Sequence, residues 1–340
     1  MIQNSKGEWA AIVKRLYSRH NFGNYEKSVE AISKLGYTDF YKDATIVDAY
    51  PGIGVFSAAL YNALKPKKHI LLEPFPNYHK YLSTWNAPGL ILDKSDPFRW
   101  ATFSGLEKSG VIDVDVQPRV QVHDKLLFYT TLTHLQGLQL MIQYINCIFN
   151  QSWLQKYGRV RILAWVRVSS AERLLSGPNE LFRHRQAVNR ESCCDARLVI
   201  HNRVDSPPSQ SGSYPKLLTN PLVLSSQNDI VSPRTKEPIC LVEFTPKAEP
   251  VEYPDEFEYV IKALFTARST PLKQNMSLLG AGAEQDLAPE IEDLLHKKPV
   301  ELTLDETKRV VRAFARWPFK PEILHDFYED ESFTVTTAKV

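Results

Sequence analysis

The chain has 340 residues, yet it holds no apolar run near the roughly 20 residues that a membrane-spanning helix needs. It has no excess of charge of one sign either. Forty-one Lys and Arg against 39 Asp and Glu leave a net +2, which excludes nucleic-acid binding through bulk charge but not through a local basic groove. Cysteine is scarce. Cys147, Cys193, Cys194 and Cys240 form no CxxC or Cys/His spacing suited to zinc, and adjacent Cys193 and Cys194 bridge only under strain. Reduced structural thiols in an intracellular compartment are expected, with no metal site. There is no internal repeat, and no apolar core of a secretory signal near the start. An ordinary balance of 43% apolar and 24% charged residues rules out wholesale disorder, and the length predicts about two domains.

What the N-terminus does carry is Trp9, Ile12, Val13, Leu16 and Tyr17 at helical spacing, among Lys6, Lys14, Arg15 and Arg19. Only Glu8 opposes those charges. This basic, amphipathic pattern suits a mitochondrial import helix and equally an ordinary surface helix. Further on, short apolar runs bounded by turn residues predict buried strands at 45–49, 69–73, 126–130 and 160–166, with two more at 197–201 and 239–244. Helical patterns at 55–64 and 138–149 fall between them, so residues 1–254 read as a doubly wound α/β domain. Nine of the 22 prolines lie between 204 and 254, and the segment 204–238 is expected to be a surface insertion. A helical pattern at 258–267 then opens a small all-helical domain over 255–325. Within it, Thr303 and Glu306 form a T-x-x-E capping box, and Pro318 ends the helix that follows. Residues 326–340 read as a mobile tail that begins acidic and aromatic.

The sharpest local signal is Ile46-Val-Asp-Ala-Tyr-Pro-Gly-Ile-Gly54, a strand entering a turn with Gly52 and Gly54 and then a helix. Glycines there let backbone approach a ligand and leave helix N–H groups facing a cleft. The third glycine of the dinucleotide fingerprint is missing, which disfavours a nicotinamide cofactor. Glu73 ends the second strand, where a carboxylate can accept both ribose hydroxyls. Asp96 follows in Asp96-Pro-Phe-Arg-Trp100, placed to meet an adenine amine.

This ordered set resembles the S-adenosylmethionine pocket of class I methyltransferases. Arg19-His-Asn-Phe-Gly23, Val242-Glu-Phe-Thr-Pro246 and Phe265-Thr-Ala-Arg-Ser-Thr-Pro-Leu272 are similar to blocks of the rRNA adenine dimethyltransferases. Tyr50-Pro-Gly-Ile-Gly54, Trp153-Leu-Gln-Lys-Tyr-Gly158 and Arg316-Trp-Pro-Phe-Lys-Pro-Glu-Ile-Leu324 resemble their mitochondrial transcription factor B branch, which includes the fungal mitochondrial RNA polymerase specificity factors. The resemblance implies a cofactor pocket of Gly23, Gly52, Gly54, Glu73, Asp96 and Thr131. One departure is decisive for activity. Where the dimethyltransferases carry Asn-Leu-Pro-Tyr to accept and stack the target adenine, this chain reads Thr131-Leu-Thr-His134. Thr131 lacks an amide carbonyl, Thr133 restores an N–H, and His134 offers a smaller ring. No catalytic residue is assigned, and the pocket, vestigial for catalysis, is expected either to hold S-adenosylmethionine still or to stand empty.

Two basic clusters are candidates for phosphate contact. Lys308, Arg312 and Arg316 recur at i, i+4 and i+8 on the capped helix, and Arg183, Arg185, Arg190, Arg197 and Arg203 crowd one window. Solvated faces are the plain alternative. Tyr129, Trp100 and Trp165 could add stacking, although Trp165 suits a core. The resemblance implies a mitochondrial matrix initiation factor whose partners are the single-subunit RNA polymerase and melted promoter DNA, with RNA as a further ligand. The alternative is an active S-adenosylmethionine-dependent rRNA adenine dimethyltransferase. In the specificity factors the tail enters the polymerase cleft, so the resemblance implies that role for residues 326–340, with a floppy tail as the plain alternative.

Overall fold

The structure is a computed structural model that describes residues 1–2, 21–201, 222–223, 229–231, 238–322 and 324. The basic helix expected near the N-terminus, Arg203, the run 206–215 and the tail 326–340 lie outside those residues. Among the described residues the strands are β1 (Asn21–Phe22), β2 (Thr45–Ala49), β3 (Lys68–Leu72), β4 (Leu90–Asp93), β5 (Val122–Leu132), β6 (Arg159–Arg167), β7 (Cys194–His201), β8 (Leu222–Val223), β9 (Ile230–Val231) and β10 (Ile239–Pro246). Eight of them form one sheet in the order β4-β3-β2-β5-β6-β10-β7-β8, and β1 pairs with β9 in a small ribbon. Strands β4, β3, β2, β5 and β6 run parallel, while β10 is antiparallel to both β6 and β7. This is the doubly wound, methyltransferase-like α/β sheet. Two strands, β8 and β9, come from the segment read as an insertion, which is therefore partly built into the fold.

The predicted strands are buried on both faces, and their alternate side chains feed two apolar layers. Val47, Leu126, Phe128, Ile162, Ala164 and Val242 pack to one side, and Ile46, Leu127, Tyr129, Leu163 and Trp165 to the other. Helices α1 (Tyr25–Lys34), α2 (Tyr37–Phe40) and α3 (Val55–Leu64) cover the second layer, and α4 (Pro76–Leu82) packs on the edge near β3. Helices α5 (Trp100–Lys108), α6 (Gly137–Phe149), α7 (Val168–Leu175) and α8 (Arg185–Cys193) cover the first. The first layer continues without a break into the C-terminal helices. There Phe257 and Leu264 of α9 (Pro254–Thr266) meet Val310 and Phe314 of the last helix, Leu304–Arg316. Thr303 caps that last helix as predicted, its hydroxyl accepting the Glu306 N–H at 3.2 Å while the Glu306 carboxylate accepts the Thr303 N–H at 2.9 Å. All four cysteines are buried and free, and burial pushes the Cys147 thiol up to about 11.

Candidate functional site

Strand order reverses between β2 and β5, and in such sheets ligands bind beyond the carboxyl ends of the strands at that point. The loops after β2, β4 and β5 meet there around a hollow of about 560 Å³, lined by Tyr50, Phe75, Asp96, Phe98 and His134 among others. The turn after β2 is tight: Tyr50, Gly52 and Gly54 have φ of 62°, 62° and 66°, in the left-handed region. Two of those three are glycine, for which this costs little.

The space the glycines leave is taken by the protein itself. A Cβ on Gly52 would stand 2.3 Å from Asn21 Oδ1, and one on Gly54 would stand 2.3 Å from the Trp85 ring. Glu73 is fully buried, with its Oε2 accepting the Gly52 N–H and its Oε1 the Phe75 N–H, each at 3.0 Å. It does not line the hollow. Asp96 does, but its Oδ1 accepts the Tyr50 hydroxyl at 2.5 Å and the Phe98 N–H at 3.0 Å. The Tyr50 ring meets the His134 ring edge-on at 5.3 Å. Gly23 donates its N–H to the Asp229 carbonyl at 2.8 Å, tying the chain beyond β1 to the turn before β9.

The Thr131-Leu-Thr-His134 segment is equally engaged. Thr131 is buried, 3.5 Å from the Tyr129 hydroxyl, and the Thr133 carbonyl accepts Arg167 Nε at 2.8 Å. Tyr129 and Trp165 lie in the core and cannot stack on a base. Trp100 is half-buried.

The structure divides the predicted phosphate contacts. Arg183 is a correction: it is 0% exposed, bonded to both Glu191 oxygens at 3.0 and 2.9 Å and to the Ser176 and Leu302 carbonyls. A guanidinium so enclosed joins the α/β part to the C-terminal helices and cannot reach a phosphate. Arg190 is likewise buried, bonded to the Leu174 carbonyl, and Arg197 lies 3.3 Å from Glu243. On the last helix Arg312 is exposed but pairs with Glu252 at 2.8 Å; Lys308 is half-buried and Arg316 exposed. Arg185 is half-buried, at the first position of α8.

A larger hollow, about 710 Å³, opens between α6, α7, the loop before α8 and the end of α9. Arg173, His184 and Arg268 line it together with Leu181, Phe182 and Phe265, and no carboxylate lines it. Leu181 and Phe182 are 52% and 37% exposed. Basic groups around apolar and aromatic side chains suit a single nucleic-acid strand, whose phosphates take the charge and whose bases take the rings. Sequence reasoning missed Arg173, and Arg268 stood out only as a member of a motif block. Nothing local distinguishes these arginines from solvated ones.

Comparison with known proteins agrees with this architecture. The sequence model of the ribosomal RNA adenine dimethylases matches residues 15–311. The chain belongs to the ribosomal RNA adenine dimethylase family. Within that family it is 32% identical over 308 residues to the mitochondrial transcription factor 1 of Saccharomyces paradoxus, covering 87% of this chain and 88% of that one. It is 30% identical to the protein of the same name from Lachancea kluyveri, covering 94% and 95%. Among solved structures, a dimethyladenosine transferase from Plasmodium falciparum superposes with a TM-score of 0.58 at 12% identity, over 87% of this chain and 97% of that one, a likeness of fold. Members of the family's fold generally bind S-adenosylmethionine. In this chain Glu73 does not line the hollow, and Asp96, which does, accepts the Tyr50 hydroxyl.

Proposed function

We propose that this chain is a non-catalytic mitochondrial transcription initiation factor of the matrix, which joins the single-subunit mitochondrial RNA polymerase and supports promoter recognition and melting. The observation that carries this reading is the 30–32% identity, over nearly the whole chain, to proteins called mitochondrial transcription factor 1. Thr131-Leu-Thr-His134, whose Thr133 carbonyl is held by Arg167, supports it, since a dimethyltransferase needs an acceptor for the target amine. In this reading the cofactor pocket is vestigial. The basic groove then receives the unpaired promoter strand, with the α/β part on one side and the helical unit of about 255–325 on the other.

Run-off transcription on a mitochondrial promoter, with purified polymerase and with or without this chain, tests the reading. Specific initiation that depends on the chain is expected, with no labelled methyl transfer to small-subunit ribosomal RNA. Methyl transfer without any effect on initiation would replace it by the dimethyltransferase reading that the family match alone suggests.

A further inference from the structure

At the end of the sheet opposite the hollow, the loops before β5 and β6 lie where these parallel strands begin. They are laced together. Gln117 donates its N–H to the Tyr157 carbonyl at 2.8 Å, and it exchanges two further bonds with Asp124 at 2.6 and 3.2 Å. Inside this lacing sit two arginines. Arg119 Nη1 donates to the Gln155 and Gly158 carbonyls at 3.1 and 3.2 Å. Arg159 donates through Nε to the Pro246 carbonyl at 2.7 Å and through Nη1 to the Val120 carbonyl at 3.3 Å.

Neither guanidinium has a carboxylate within 4 Å among the described residues, and the Arg119 Nε–H is buried without an acceptor. Arg183, Arg309 and Arg312, by contrast, all rest on carboxylates. Burial and the charge of Arg159 hold Arg119 below the usual arginine range. Burial lowers Arg159 as well, and Asp195 offsets that only in part, from beyond ion-pair distance. Asp113 and Asp115, on the same loop, line a separate small hollow with Lys67 and Lys125. The arginine pair therefore has no counter-charge in contact. Beside the arginines Val116 and Val120 are 70% and 81% exposed, on a loop whose backbone the lacing fixes.

Fixed arginines next to exposed apolar side chains are the composition of a protein interface. Phosphate contact would give the valines no role. We propose that this end of the sheet docks a protein segment bearing a carboxylate beside apolar side chains, and that the mitochondrial RNA polymerase presents that segment. The identity of the partner rests on the initiation-factor reading. The surface lies away from the groove, so one molecule can hold polymerase and melted strand together.

The test measures binding of purified polymerase, without DNA, to immobilised full-length chain. It compares wild type with Arg119→Ala/Arg159→Ala and with Val116→Asp/Val120→Asp. The valine pair packs on little, so that variant keeps its thermal midpoint and separates docking from folding. Each variant is expected to bind polymerase at least about tenfold more weakly while binding single-stranded DNA as wild type does. Wild-type affinity in the valine variant would overturn the proposal. Abolished DNA binding with intact polymerase binding would also overturn it and make the patch a nucleic-acid surface. Failure of the wild-type chain itself to bind polymerase is a different result, because it removes the initiation-factor reading and this proposal with it.

Discussion

At the carboxyl ends of the parallel strands the polar groups answer one another: Glu73 holds the turn, Asp96 holds Tyr50, and Arg167 holds the Thr133 carbonyl. At the amino ends of β5 and β6 two guanidinium groups answer only carbonyls, and apolar side chains stand in solvent beside them. The first region is where the family's fold places a ligand, beside the hollow of about 560 Å³. The second keeps unmet charge. A buried polar group without a partner is costly, so the enclosed groups of the first region find partners within the fold. An exposed surface is under no such pressure and retains whatever a partner will satisfy.

The largest effect is expected in the core strands that carry the turns of the first region. Asp48 of β2 and His69 of β3 are fully buried, 3.1 Å apart, and burial pushes the Asp48 carboxyl up. His69→Ala leaves that carboxyl alone in the core and should cost about 3–5 kcal/mol, read from the urea midpoint at neutral pH. A loss under about 1 kcal/mol would mean that Asp48 is already neutral and the pair is no ion pair.

Packing at the glycine turn of the carboxyl end can be broken directly. Gly54→Ala drives a methyl into the Trp85 ring and should cost about 1–3 kcal/mol. In a Trp85→Ala background much of that cost should vanish, and a thermal-midpoint cycle over the four proteins measures the coupling. Equal costs in both backgrounds would place the cost in the left-handed backbone at Gly54 and not in the Trp85 contact.

The groove sharpens the contrast in charge. Replacing Arg173 and Arg268 by Ala should lower the log–log salt slope for single-stranded DNA by up to about 1.4, roughly 0.7 for each phosphate no longer neutralised. Fluorescence anisotropy over a salt series reads this, and an unchanged slope would return both arginines to ordinary surface.

The smallest effect lies in the last helix, remote from both ends. Thr303→Ala removes the cap and should cost about 1 kcal/mol in a thermal melt. Burial pushes the Glu306 carboxyl up, but bonds from Lys297 and from Thr303 outweigh that and hold it below its usual range. A carboxyl depressed in the folded state stabilises fully above its unfolded pKa, and that contribution fades as pH falls through the folded one. The Thr303→Ala deficit should therefore shrink in acid. A deficit constant from neutral pH to acid would place the effect in the hydroxyl alone.

Much of the fold was legible because its signals are local. The run 45–49 and the pattern 55–64 coincide with β2 and α3 residue for residue. Leu90–Asp93 escaped because four half-exposed residues make too short an apolar run, and α1 because Val29 and its other exposed residues dilute the pattern. The candidate site was legible as positions only. Glu73 and Thr131 sit at or just after the ends of predicted strands and Asp96 in its motif, but their partners come from 21, 46 and 2 residues away, and no spacing announces the first two.

The order of strands and helices, the cap at Thr303 and the absence of the Asn-Leu-Pro-Tyr pattern were settled by the chain's own residues, since helix period, capping and side-chain chemistry act over a few positions. Which arginines face a ligand was not. Arg183 and Arg173 are ten residues apart with the same side chain, yet folding encloses one against Glu191 and leaves the other lining a groove. Charge belongs to a residue, but its exposure and its counter-charge belong to whatever the tertiary structure packs around it.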